Sequence, residues 1–227
     1  MKRFGCFVLT FLIGLSAVAQ TPTNTLTPQE KEEGFVLLFD GKELSSDIWQ
    51  GDLAGYPVAD GIITCRGKNI LTKEEFGDFI FRCEVKLPSG GNNGISVRGI
   101  EIQILDHHHP KYKTINDGQG LKAYQYNGSL YGVVPAARNA EKNDYLLPIG
   151  EWNFYEVHVV GTKIKAMVNG ETVLDVDCKD YPPDKPVLSG NRPKGLDQLT
   201  GGVGFLGHTD PVQFRNIRIK KLNAEGR

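Results

Sequence analysis

Between Phe79 and Leu87 the chain alternates with period two: Phe79, Phe81, Cys83, Val85 and Leu87 are apolar, with Ile80, Arg82, Glu84 and Lys86 between them. Side chains of a strand point alternately to opposite faces, so this pattern predicts a strand with one face in a core. The same alternation returns at Ile95, Val97, Ile102 and Ile104, interleaved with Ser96, Arg98, Glu101 and Gln103. Gly99 suits the first central position of a two-residue type II′ turn. That turn would set Arg98 opposite Glu101, Val97 opposite Ile102, Ser96 opposite Gln103 and Ile95 opposite Ile104. All apolar pairs then share the core face, and the polar pairs are left free for a ligand.

Further strands are expected at Phe35–Phe39, closed by Asp40-Gly41, and at Gly61–Cys65. Phe154–Val160 and Lys163–Val168 follow, and Asn169-Gly170 is the hairpin signal that joins the latter to Glu171–Asp177. The last two strands are Gly202–His208 and Val212–Leu222. In the second of these the apolar parity switches after Phe214, which predicts a bulge around Arg215–Asn216. About a dozen short strands without a long helical period imply an all-β fold, a two-sheet antiparallel β-sandwich or jelly roll. Residues 107–147 lack periodicity yet carry Tyr112, Tyr124, Tyr126 and Tyr131, more aromatics than disordered segments hold. A lid or wall over the polar face of the central hairpin is expected there.

Lys2 and Arg3, an apolar run from Phe7 to Leu15 and then Ala17-Val18-Ala19 read as a secretory leader, residues 1–19, cleaved near Ala19. The run is too short for a transmembrane segment, which takes ~20 residues. The expected product is exported, periplasmic or secreted, with residues 20–33 as a polar tether and residues 34–224 as one domain. Of 26 basic and 27 acidic residues the leader removes two basic ones, Lys2 and Arg3, so the net charge moves from −1 to near −3. With no basic stripe, nucleic acid is not an expected partner. Cys65, Cys83 and Cys178 remain, an odd number that permits one disulfide and leaves a thiol; Cys83 is expected to be buried packing. The oligomeric state is not legible.

Glu101, Gln103 and Asp106 stand at i, i+2 and i+5. The first two share a strand face, and Asp106 joins them only if a bulge near Leu105 resets the parity. This spacing is similar to the Glu-x-Asp-x-x-Glu bulged motif of laminarinase-type β-glucanases, with Gln103 in place of the central Asp and Asp106 in place of the final Glu. His107 and His109 can share a side if the strand continues, which leaves a divalent metal ion open as a cofactor. His208, followed by Thr209-Asp210-Pro211, is placed more openly than a core histidine.

Several marks appear in order along the chain: Gly34-Phe35, Leu38 to Lys42, Leu71-Thr72-Lys73 with Phe76 to Phe79, Asn93-Gly94-Ile95 to Arg98, and Glu101 to Asp106. Gly128, Leu130-Tyr131-Gly132, Gly150 to Asn153, Val168-Asn169-Gly170, His208 and Phe214 to Ile219 follow. Together they resemble the 3-keto-disaccharide hydrolase domain family, formerly a domain of unknown function, over residues 34–222. The resemblance implies a concanavalin A-like lectin/glucanase fold and a carbohydrate partner, a sugar oxidised to a ketone at C3. A C3 ketone acidifies the hydrogen on C2, so a base can remove it and the enolate can expel the C1 substituent before water adds. Glu101 or Asp106 would be the base. Arg98 or a metal would stabilise the enolate, and His208 would protonate the leaving oxygen. Gln103, Asn93, Tyr131, Lys122 and Ser96 are the expected substrate-binding residues. A non-catalytic carbohydrate-binding module and a conventional endo-glycosidase are the alternatives. The latter needs two carboxylates ~5–5.5 Å apart if it is a retaining enzyme.

Overall fold

The computed structural model of the protein describes residues 23–137 and 145–222, so the expected leader lies outside the described residues. The short strands before the central hairpin are β1 (Val36–Leu37), β2 (Trp49–Gly51), β3 (Val58–Ala59), β4 (Ile62–Thr64) and β5 (Ile70–Thr72). Longer strands follow: β6 (Phe79–Lys86), β7 (Asn92–Val97), β8 (Ile100–Leu105), β9 (Trp152–Val160), β10 (Lys163–Val168) and β11 (Glu171–Asp177). The last two are β12 (Val203–Phe205) and β13 (Gln213–Lys221). They form two antiparallel sheets. One runs β11-β10-β9-β6-β13-β4-β3, with β1 also on β13, and the other runs β2-β5-β12-β7-β8. This is the expected two-sheet jelly roll.

Alternation decides which faces meet. On β6 the residues Phe79, Phe81, Cys83 and Val85 are buried, as are Tyr155, Val157 and Val159 on β9. From the other sheet Ile95, Val97, Ile102, Ile104 and Phe205 fill the same core. Phe205 is the point where the layers lock: it stacks on Phe214 at 3.9 Å between ring centroids and meets Phe81 edge-on at 6.3 Å. A one-residue slip of β7 would turn Ile95 and Val97 outward, at ~1.5–3 kcal/mol for each large apolar side chain. The register is therefore firmly specified.

The bulge expected in the last strand is present. The β13–β6 ladder shifts between Arg215 and Arg218, and Asn216 takes a left-handed φ of 53°. Its amide N–H donates to Asn24 Oδ1 at 2.8 Å, and Asn24 N–H donates back to Asn216 Oδ1. Residues 24–33, expected to be a tether, are thus docked on the sandwich. A short helix, α1 (Pro28–Glu32), begins with a capping box between Thr27 and Glu30, and Glu30 lies buried under two guanidiniums. Arg218 Nε reaches Glu30 Oε1 at 2.5 Å and Arg82 Nη1 reaches it at 3.3 Å. A buried carboxylate on this segment cannot leave the surface cheaply, which is the physical reason the tether expectation gives way.

Among the described residues the one disulfide that three cysteines permit is not formed: Cys65, Cys83 and Cys178 are free and buried, and Cys83 packs as expected as a small apolar side chain. No described helix is long and apolar enough to cross a membrane.

Burial would raise the Glu30 carboxyl, yet the Thr27 amide and the Arg218 and Arg82 guanidiniums hold it below its ordinary value of 4.5. Its stabilisation is thus present above that pH and is lost as pH falls through the lower folded value. Glu30→Gln should destabilise the protein by roughly 2–4 kcal/mol at neutral pH in urea unfolding. The difference from the unaltered protein should narrow as the pH falls below 4.5 and the carboxylate is protonated. An unchanged midpoint at pH 7 would mean the helix is not part of the cooperative unit.

Candidate active site

The floor of the site is the β7–β8 hairpin, and its turn is one residue earlier than the sequence pattern suggests. Arg98 and Gly99, with φ of 50° and 79°, are its two central residues, a type I′ geometry whose twist matches that of the flanking strands. The ladder pairs Val97 with Ile100, Ile95 with Ile102, Gly94 with Gln103 and Asn92 with Leu105. Relative to the expected register this is a slip of two residues, so every side chain keeps its face. Arg98 alone changes role. It leaves the ladder for the turn, and its Nη1 donates to the carbonyls of Gly161 and Leu199, each at 2.9 Å. Arg98 therefore is not paired with Glu101 and does not stand over it.

Asp106 is the second correction. The ladder continues unbroken to Leu105, so no bulge resets the parity, and Asp106 turns to the side opposite Glu101 and Gln103. Its Oδ2 accepts the Gly90 N–H at 2.7 Å and its own N–H donates to the Gly91 carbonyl at 3.0 Å. The carboxylate closes the loop before β7 instead of serving the cleft.

What the fold does bring together is a cavity of about 180 Å³ lined by Glu101, Gln103, Asn92, Leu105 and His208, with Tyr112, Ile115, Leu121, Gln125 and Tyr131 as its wall. The wall residues all come from the long segment after β8, as expected of a lid or wall. Backbone bonds fix that segment along the free edge of β8: Tyr131 N–H donates to the Glu101 carbonyl, Gln103 N–H to Ser129 and Gly128 N–H to Gln103. Gln125 Nε2 donates to the Tyr131 hydroxyl at 3.4 Å, while its Oε1 takes Asn116 Nδ2 at 2.8 Å and the Lys122 N–H at 2.9 Å. His208 reaches the rim because Gly207 lies flat against Gly67 and Lys68. A Cβ at Gly207 would fall 2.3 Å from the Gly67 carbonyl oxygen.

Glu101 is the chemically distinctive member. Burial pushes its carboxyl up to about 7, and no described cation forms an ion pair with it. Its Oε1 and the Oε1 of Gln103 are covered and have no hydrogen-bond partner, so two neighbouring acceptors on one strand face await donors. Gln103 is oriented by donating Nε2 to Asn92 Oδ1 at 3.0 Å. A carboxyl near neutrality can take up and return a proton at physiological pH, and orphaned acceptors suit hydroxyl groups.

The other expected residues divide. Tyr131 and His208 line the cavity with Glu101 and Gln103. Asn93 does not: it lies on the core side of β7, fully buried, its Oδ1 accepting the Gly94 N–H. Its neighbour Asn92, on the other parity, is the lining residue. Ser96 sits opposite Glu101 but is buried outside the cavity lining, and the Lys122 side chain is exposed and away from it. His107 and His109 diverge because the strand ends at Leu105. The His107 ring packs on Tyr126, whereas His109 Nδ1 accepts the Lys111 N–H. Among the described residues no group of three or more His, Cys, Asp and Glu is placed to hold a metal ion.

Gln125 and Gly94 were not singled out from the pattern. Gln125 lies in a segment without periodicity and carries no signal. Gly94 carries one in hindsight, a glycine inside a strand, which marks a close approach. The Glu101 side chain lies across it, and a Cβ there would fall 2.4 Å from Glu101 Oε1 and 2.6 Å from its Cγ.

The protein is thus a two-sheet jelly roll with a cleft on the polar face of its central hairpin, lined by one carboxylate among the described residues. The chain belongs to the 3-keto-α-glucoside-1,2-lyase-like domain family, whose profile matches residues 34–220. It is similar to a 3-keto-disaccharide hydrolase of Bacteroides thetaiotaomicron, at 25% identity over 242 residues that cover 84% of this chain and 79% of that one. Two crystal structures of candidate glycosyl hydrolases from Parabacteroides distasonis share the fold. One gives a TM-score of 0.72 at 24% identity and covers 89% of this chain and 100% of the other. The second gives 0.68 at 25%, covering 83% and 99%.

Two outcomes follow from the Glu101 geometry. The folded carboxyl holds its proton up to about pH 7 against an ordinary 4.5, so folding stability falls as pH rises through that interval. Glu101→Gln should be more stable than the unaltered protein at pH 8, by on the order of 2 kcal/mol in urea unfolding, with no gain at pH 4. Gly94→Ala should push the carboxyl out toward water and lower its titration midpoint, read from the carboxyl carbon by NMR. A midpoint still near 7 would show that the side chain does not need the glycine.

Proposed function

We propose that the protein cleaves glycosidic bonds of 3-keto-sugars by elimination across C1 and C2 followed by hydration, with Glu101 as the base. The observation that carries this reading is the largely covered Glu101, with no ion-pair partner among the described residues, beside Gln103 on the cleft floor and with His208 at the rim. The family's description as lyase-like across positions 1 and 2, and the relative named as a 3-keto-disaccharide hydrolase, support the same chemistry.

In this reading Glu101 takes the proton from C2 and the electron pair enters the enolate at C2, C3 and the C3 oxygen. Tyr131, whose oxygen already accepts from Gln125, donates its own proton as a hydrogen bond to that oxygen. The enolate expels the C1 oxygen, which takes a proton from His208 as the leaving alcohol departs. Water then adds at C1 of the enone, passing a proton to His208, while Glu101 returns its proton to C2. Gln103 and Asn92 hold ring hydroxyls. The sum is hydrolysis, and no oxocarbenium ion forms.

A conventional retaining glycosidase would need a second carboxylate ~5–5.5 Å from the first. Among the described residues Glu101 is the one acidic side chain lining the cavity, with Asp106 on the other side of its strand, which favours a one-carboxylate mechanism. We further propose, on the leader-like pattern of residues 1–19, that the protein is exported.

The test is to incubate the purified protein with a methyl glucoside and with its 3-keto form and to follow methanol release. Release from the keto form alone is expected. The ionised base must dominate for turnover, so kcat/KM should rise through about pH 7. Glu101→Gln should lower kcat by at least 10²-fold with the fold intact. Cleavage of the unoxidised glucoside with Glu101→Gln fully active would overturn the proposal, and tight binding of either sugar without turnover would favour a binding module.

A further inference from the structure

A second cavity, of about 300 Å³, shares Tyr112 and Leu121 with the first and is otherwise lined by His107, His108, Lys113, Gln119, Gly120 and Tyr126. We propose that it is the leaving-group subsite and that it takes a ring bearing a carboxylate, the partition of Tyr112 and Leu121 lying under the scissile linkage. This inference rests on the reaction read above.

Size gives the first argument. The Glu101 cavity, at about 180 Å³, is smaller than the roughly 300–1,000 Å³ pockets that enclose drug-sized ligands, and it suits one sugar ring. A glycoside's second ring has to lie beyond it, and the neighbouring hollow is where the shared wall leads.

The lining gives the second. Among the described residues it offers one ammonium, Lys113, and two imidazoles, with no acidic side chain. Asp106, the carboxylate adjacent in sequence, is turned into the Gly90 N–H and lines an adjoining hollow on the far side of His107 and His108, which border both. The hollow is also aromatic: the Tyr126 ring meets His107 edge-on at 5.4 Å, and His108 lies 4.4 Å from His107. Flat rings beside one ammonium and two imidazoles able to hydrogen-bond suit a planar or ring-shaped anion.

Rigidity gives the third. Asn116, Asp117 and Gly118 are consecutive left-handed residues, with φ of 52°, 57° and 82°, a sharp reversal beside the hollow. Asn116 Nδ2 ties it to the Gly120 carbonyl at 2.7 Å and to Gln125 Oε1 at 2.8 Å. The Tyr112 hydroxyl donates to the Gly90 carbonyl at 2.9 Å, which fixes the partition. The subsite is therefore preformed, and its selectivity should show mainly in KM.

The experiment compares the 3-keto forms of 4-carboxyphenyl and 4-carbamoylphenyl glucoside, which differ in charge and hardly in shape, with 3-keto methyl glucoside as a third substrate. The unaltered protein should favour the carboxylate over the amide by about tenfold in kcat/KM, through KM, and added salt should shrink the ratio. Lys113→Ala combined with His108→Ala should bring the ratio to about one. Equal rates for both in the unaltered protein, or an unchanged ratio in the double variant, would overturn the subsite. If none of the three substrates is cleaved, the reaction reading fails. Calorimetric binding of 4-carboxyphenyl against 4-carbamoylphenyl glucoside, in the unaltered and doubly substituted proteins, then decides the subsite alone. Preference for the carboxylate that is lost on substitution supports it, and equal binding overturns it.

Discussion

The unbroken two-residue parity of the β7–β8 ladder is the constraint on which the rest of the site depends. Ile95, Val97, Ile102 and Ile104 must face the other sheet, where burial holds them, and this leaves Asn92, Glu101, Gln103 and Leu105 no choice but the opposite face. A ladder of this kind cannot be adjusted one residue at a time. Whatever chemistry the hairpin carries is fixed by the same pairing that holds the core together, and Asp106, one residue past the ladder on the other parity, is excluded for that reason alone.

The cost of this arrangement is concentrated in one group. Glu101 is half-covered with no counter-charge among the described residues, and its ionised form is disfavoured by burial. The charged residues that could have compensated it are engaged elsewhere. Arg98 is held by two backbone carbonyls at the hairpin turn, and the well-paired ion network of Glu30, Arg82, Arg218 and Glu156 lies on the outer face of the other sheet. Charge is paired where it fastens the fold and left unpaired at one carboxyl in a cleft. Local destabilisation of that kind is characteristic of sites where the unpaired group acts on something else.

Much of the fold was legible because it rests on period and turn chemistry. The alternation of Phe79 to Leu87, the Asn169-Gly170 turn and the parity switch at Arg215–Asn216 each appear as read. Glu101, Gln103, Tyr131 and His208 were likewise found, the first two by shared parity. The errors have physical sources. Arg98 in the left-handed region is uncommon for a side chain of its size, so the turn was assigned around Gly99 at first position instead of second. Asp106 can join Glu101 and Gln103 only through a bulge near Leu105, and the ladder runs unbroken to that residue. Asn93 shares the core parity of Ile95 and Val97, and the alternation carried back three residues from Ile95 puts Asn92 on the cleft face. The docking of residues 24–33 depends on side-chain pairing across the chain, between Asn24 and Asn216 and between Glu30 and Arg218, which no local pattern shows.

The wall over the cleft follows from a different requirement. β8 is the last strand of its sheet, and an open edge presents unpaired N–H and C=O groups that must be covered. Residues 128–131 do this with three backbone bonds to Glu101 and Gln103, and Ile102 bridges Leu130. Having only short helical turns, at Pro110–Lys113, Ile115–Gly118 and Ala123–Gln125, the wall satisfies part of its backbone through side chains, which accounts for its Asn and Gln residues. Asn127 is the deepest of these: its Oδ1 accepts the Leu105 N–H at 3.0 Å and the Tyr155 hydroxyl at 2.9 Å, joining the wall to both sheets at once. The segment that protects the edge is the segment that presents Tyr131 and Gln125 to the cleft. Swinging it open would uncover the β8 edge and leave the Leu105 N–H and the buried Tyr155 hydroxyl without their acceptor, so the same bonds that complete the core hold the wall over the cleft.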